Sequence, residues 1–170
     1  MSLVNGLPAH VLLVHFVVVL VPLTALALVT AALWPRAARR MGVVLPLLAL
    51  VTLASVPLTT SAGEWLEEHV PENSLVEQHA ELGDGLLPWA LGLFVLATAV
   101  WWTVRRTPAP EAAGASGTRT ASVVRVAAAV LSFAVAAGAV VDVYRIGDSG
   151  AKAAWQNGYS KSATNSRDGD

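Results

Sequence analysis

The chain has 170 residues, 55% of them hydrophobic and only 14% charged, with a formal net charge of -1. Soluble domains of this size carry about 25% charged residues, so the composition argues against a water-soluble domain, and the lack of a basic patch argues against a nucleic-acid partner. There is no cysteine, which excludes disulfides, thiolate metal sites and covalent c-type haem attachment.

In chain order, residues 1–10 hold no Lys or Arg. A cleaved signal peptide is therefore not expected, and the apolar run that follows is longer than an h-region of about 7–15 residues. A first span is expected over 11–34, and PAHVLLVHFVVVLVPL places His10 and His15 at its start. A connection with Arg36, Arg39 and Arg40 leads to a second span over 42–63. The next connection carries Glu64, Glu67, Glu68, Glu72, Glu77, Glu81 and Asp84, with His69 among them. Ser74 and Glu77 have capping-box spacing after Pro71, so a helix is expected from Ser74 into a third span over 85–104. Its packed stripe would hold Leu75, Val76, His79, Leu82 and Leu86. TPAPEAAGASGT makes 105–121 a flexible cytoplasmic loop. The fourth span is expected over 126–144, with Asp142 as its one charge. SGAKAAW then reads as a short surface helix, and 157–170 as a disordered tail. The transmembrane domain thus covers 1–156.

Each span is long enough for a hydrocarbon core that takes about 20 helical residues. Lys and Arg mark cytoplasmic loops. Arg36, Arg39 and Arg40 fall between spans one and two, and Arg105, Arg106, Arg119 and Arg125 between spans three and four, while 41–104 contains neither residue type. Arg145, Lys152, Lys161 and Arg167 run against this bias without reversing it. The expected fold class is an all-α integral membrane protein, a four-transmembrane-helix bundle. Both termini lie outside, and helices one and three extend above the outer membrane face.

Counting about 20 residues outward along each span brings His10, His15, His79, Glu64, Asp84 and Asp142 to the outer level. Thr24, Thr30, Thr52 and Ser132, deeper in, read as ordinary satisfied hydroxyls. His10 and His15 are five residues apart, about 140° around a helix, so each needs a partner from another helix. Interface histidines also serve as amphipathic anchors, and His79 on an apolar stripe is either a hydrogen-bonded core residue or a ligand. An acid inside a span is a functional candidate, while Arg145 at i+3 offers Asp142 a local ion pair. Ala128, Ser132 and Ala136, like Ala134 and Gly138, recur at a spacing that lets helices approach closely. Pro22, Pro46, Pro57 and Pro88 are expected to kink their spans. Trp34, Trp101, Trp102 and Tyr144, with Trp65 and Trp89 on the outer side, fit interface belts.

NGLPAHVLLVHFVVVLVPL, SAGEWLEEH, LVEQHAELGD and VYRIGDSGAKAAW together resemble a bacterial family of predicted membrane proteins, domain of unknown function 2231, over about residues 5–156. The resemblance implies four transmembrane helices in a multi-pass protein of the bacterial cell (inner) membrane. The family's two histidines at the start of helix one and one before helix three match His10, His15 and His79. His69 has no counterpart, and Asp142 departs from the small residues that many relatives carry there. Some members look joined to Rieske or cytochrome modules, which implies a redox or respiratory membrane partner beside the lipid bilayer.

Three functions stay open on these grounds. The first is a haem b site with axial imidazoles from two helices, for whose propionates only Arg145 is a nearby cation. The second is a divalent transition-metal site of His10, His15 and His79, completed by Glu64, Asp84 or Asp142. The third is a non-catalytic accessory or structural subunit of a membrane complex. No nucleophile–histidine arrangement or phosphate loop stands out, which argues against an enzyme.

Overall fold

The computed structural model describes residues 3–4, 7–67, 74–106 and 118–155, with side chains over 9–67, 74–106 and 122–155. A two-residue antiparallel pair, β1 (Leu3–Val4) with β2 (Leu7–Pro8), leads into α1 (Ala9–Leu33). Then follow α2 (Pro35–Met41), α3 (Val44–Glu67), α4 (Ser74–Asp84), α5 (Leu86–Arg106) and α6 (Thr118–Trp155). Counting α4 with α5 as one, four helices are long and apolar enough to cross a membrane. The molecule is a multi-pass, four-helix transmembrane bundle.

The helices close a ring: α1 packs on α3 and α6, and α5 packs on the same two, while α4 lies against α6 and α3. The centre is filled by Val21, Leu28, Leu45, Ala49, Leu93, Ala97 and Ala139. Large apolar residues such as Val19, Leu26, Leu58 and Phe133 face outward, where lipid takes the place of water and a helix satisfies its own backbone. On α6 the small residues Ser132, Ala136 and Ala139 are buried, which lets this helix come close to its neighbours.

The boundaries differ from the sequence expectation for local reasons. The first connection is not open chain: Pro35 stands at N1 of α2, and Gly42 ends that helix with a φ of 51°, a value that a side chain disfavours. Pro22 and Pro57 lie inside helices, but Pro46 and Pro88 fall in the first turns of α3 and α5, where the missing N–H costs no bond. SGAKAAW is no separate helix; it continues α6 to Trp155. Residues 107–117 of the expected loop, His69, and the expected disordered tail lie outside the described residues.

Two polar expectations also change. Thr24 and Thr52 satisfy each other at 2.7 Å, with Thr52 donating onward to the Leu48 carbonyl. Ser132, by contrast, is fully buried and its hydroxyl has no hydrogen-bond partner. Trp89 turns inward: its ring packs across Gly138 of α6, with Cζ3, Cη2 and Cε3 over the place where a Cβ would stand.

Candidate functional site

α1 begins at Ala9, which puts half-buried His10 in its first turn against α3. His10 Nδ1 lies 3.1 Å from the Thr59 carbonyl oxygen. A carbonyl only accepts, so Nδ1 carries the hydrogen. His79 comes from the packed stripe of α4, where Leu75, Val76 and Leu82 are half-buried while Glu77, Gln78, Glu81 and Asp84 face out. Its Nδ1 lies 2.9 Å from Ser149 Oγ on α6. That hydroxyl also lies 2.8 Å from the Ile146 carbonyl; when it donates there, His79 Nδ1 donates to the hydroxyl. In this arrangement a neutral imidazole at either position carries its hydrogen on Nδ1 and its lone pair on Nε2.

The two rings meet at one end of the bundle. Their centroids are 6.1 Å apart and their planes cross at 85°. Glycine makes the meeting feasible. A Cβ on Gly63 would lie 3.0 Å from Cε1 and Nδ1 of His10, and a Cβ on Gly150 would lie 2.9 Å from Cε1 of His79. Each imidazole is thus wedged against bare backbone of a second helix.

The other candidate residues lie apart from this pair. His15 is exposed and donates Nδ1 to the Val11 carbonyl of its own helix at 2.6 Å. Glu64 and Asp84 are exposed near the ends of α3 and α4. Asp142 is half-buried, and its Oδ2 is buried with no hydrogen-bond partner, 3.8 Å from where a Cβ on Gly85 would stand. Among the described residues the ion pair on α6 is Lys152–Asp148 at 2.6 Å, not Asp142–Arg145. Among the described residues, too, no group of three or more His, Cys, Asp or Glu gathers where an ion could be held. The divalent site expected from shared depth, His10, His15 and His79 completed by Glu64, Asp84 or Asp142, is not assembled among the described residues, because shared depth leaves the angle around each helix free.

Sequence reasoning missed Thr59, Gly63, Ser149 and Gly150. One signal was available: Asp142, Ile146 and Ser149 are spaced i, i+4, i+7, a single face of α6 prolonged past the expected end of the span.

A family model described as "Predicted membrane protein (DUF2231)" matches residues 6–163, a range that holds both imidazoles and both glycines. Among curated proteins and among solved structures, nothing matches.

Proposed function

The chain belongs to the DUF2231 family of predicted membrane proteins, and from that premise we propose that it holds haem b between His10 and His79 and serves as a membrane-embedded redox protein. The observation that carries this reading is the pair of adjacent imidazoles from two helices, 6.1 Å apart between centroids, whose Nδ1 atoms are each engaged with an oxygen so that Nε2 is the nitrogen left to ligate. Metal-bound histidine almost always donates its other N–H to a carbonyl or similar acceptor, which fixes tautomer and ring orientation. Ligand number favours haem over a bare ion. Haem would bring four ligand nitrogens of its own, so His10 and His79 would suffice to hold it, whereas a zinc ion takes four ligands. The bare backbone at Gly63 and Gly150 lets each imidazole seat closely against a second helix, which would fix the direction in which it offers its free nitrogen. When bound, haem supplies reversible one-electron transfer. The chain's part is to ligate, to orient the rings and to keep water away.

Titration of the purified protein separates the sources of this chemistry. Haemin is expected to bind at one equivalent, and His15→Ala is expected to bind it as the parent does. Binding of zinc or copper without haemin binding would make the pair a bare-ion site. Binding of neither, with His10→Ala lowering the melting temperature, would favour an accessory subunit. The observation behind that second reading is that the same two bonds tie α1 to α3 and α4 to α6.

On this reading the imidazole end faces outward and the arginine-rich end faces the cytoplasm. The chain lacks cysteine, so the test is direct. In intact cells Glu81→Cys is expected to react with a membrane-impermeant maleimide and Arg40→Cys only after lysis; the reverse pattern would invert the topology.

A further inference from the structure

At the end opposite the imidazoles, α2 is seated on the bundle by Ala38, 2% exposed, and packs against α1 and α5. Its Arg36, Arg39 and Arg40 point outward. Arg39 donates to the Val104 carbonyl at 3.4 Å, which joins α2 to the last turn of α5. That turn ends in two more arginines. The Arg105 guanidinium lies 5.0 Å from the Trp101 ring and that of Arg106 4.2 Å from the Trp102 ring. Stacking occupies the flat face of a guanidinium and leaves its in-plane N–H donors available, the edge that matches a phosphate. No acidic residue occurs in 1–63 or 85–110, so neither segment carries a carboxylate of its own to answer this charge. Beside the arginines, Leu33, Val43 and Val44 are exposed, and Trp34 and Trp102 stand 59% and 48% exposed, as residues at a headgroup boundary do.

We infer that the α2–α5 corner is a binding site for an anionic phospholipid. Its phosphodiester is held by the N–H edges of Arg36, Arg40, Arg105 and Arg106, and its acyl chains lie on the apolar surface next to them. A free phosphate would use the same donors but leave that apolar surface unexplained. Arginines that served only to set topology would need neither a helix packed in place nor stacked guanidinium groups. The inference is independent of haem and of which way the bundle points.

The test uses the full chain in nanodiscs of phosphatidylcholine doped with phosphatidylglycerol, with retained lipid read by native mass spectrometry. The parent is expected to retain phosphatidylglycerol over phosphatidylcholine by about fivefold for each arginine engaged. Arg36→Gln/Arg40→Gln and Arg105→Gln/Arg106→Gln are each expected to lose most of that preference, and Arg36→Lys/Arg40→Lys to keep part of it. All four substituted positions are exposed, and an unchanged circular dichroism spectrum reports an intact fold. Equal retention of both lipids, or a preference untouched in both glutamine variants, would overturn the site. Displacement of the bound lipid by millimolar inorganic phosphate alone would overturn the lipid as the occupant.

Discussion

His79→Ala is expected to weaken haemin binding more than about a hundredfold, since loss of an orienting partner alone costs about 10–100-fold and here the ligand itself is removed. Ser149→Ala is expected to fall within that smaller range. It leaves the imidazole in place but removes the acceptor that holds His79 Nδ1–H at 2.9 Å, so the ring is free to turn or to change tautomer. Ser149 is a positioning residue, and the readout that marks it as one is the rate of haemin loss together with a shifted midpoint potential, not a change in fold. Without haemin, His79→Ala also breaks the bond between α4 and α6, a loss of about 1–3 kcal/mol where a polar partner is left behind. Melting in mild detergent measures that part. A series in which His15→Ala weakens haemin as much as His79→Ala would contradict the assignment, because His15 donates within its own helix.

The largest loss of stability is expected from Gly138→Val. An added Cβ would meet Trp89 at 2.2 Å from Cζ3, 2.3 Å from Cη2 and 2.8 Å from Cε3. No rotation of the valine relieves contacts that the Cβ itself makes, so α5 and α6 must separate or the indole must leave its place. Overpacking of this kind costs about 1–3 kcal/mol and occasionally more. Trp89→Ala in the Gly138→Val background is expected to recover part of the loss, a non-additivity typical of residues in contact. Haemin affinity should change little, because Gly138 lies 12 residues, about 18 Å, from Gly150 along α6. Additive effects of the two substitutions would show that the ring does not rest on Gly138.

The contrast between these two sites shows what a sequence makes legible. Four apolar runs of spanning length, and the stripe that includes His79 on α4, follow from hydropathy and periodicity, because each records a local condition: a segment must match the bilayer or bury one face. The depth of the polar residues is legible for the same reason, since residue count along a helix converts directly to height. Angle is another matter. His10 and His15 share a depth, yet His10 meets Thr59 and His79 while His15 faces outward, and that choice is made by how α1 is rotated against α3. Asp142 and Arg145 have the spacing of a pair, but their helix turns the Asp142 Oδ2 toward Gly85. Backbone groups leave no trace in residue type, so the Thr59 carbonyl could not be read in advance. At Gly63, Gly138 and Gly150 the residue type records only smallness; each matters because of a ring brought against it from another helix. The extent of α6 escaped for a simpler reason: charged residues after Tyr144 marked the end of the apolar run, not the end of the helix.

The most direct test of the central claim is the optical spectrum of the protein as isolated in mild detergent from cells supplied with haem precursor, recorded before and after dithionite. The two-imidazole site predicts a Soret band with sharp α and β bands on reduction, the low-spin pattern of haem b held on both sides by histidine, and its loss in both His10→Ala and His79→Ala. A spectrum without a Soret band, or one that persists unchanged when either imidazole is removed, would contradict it.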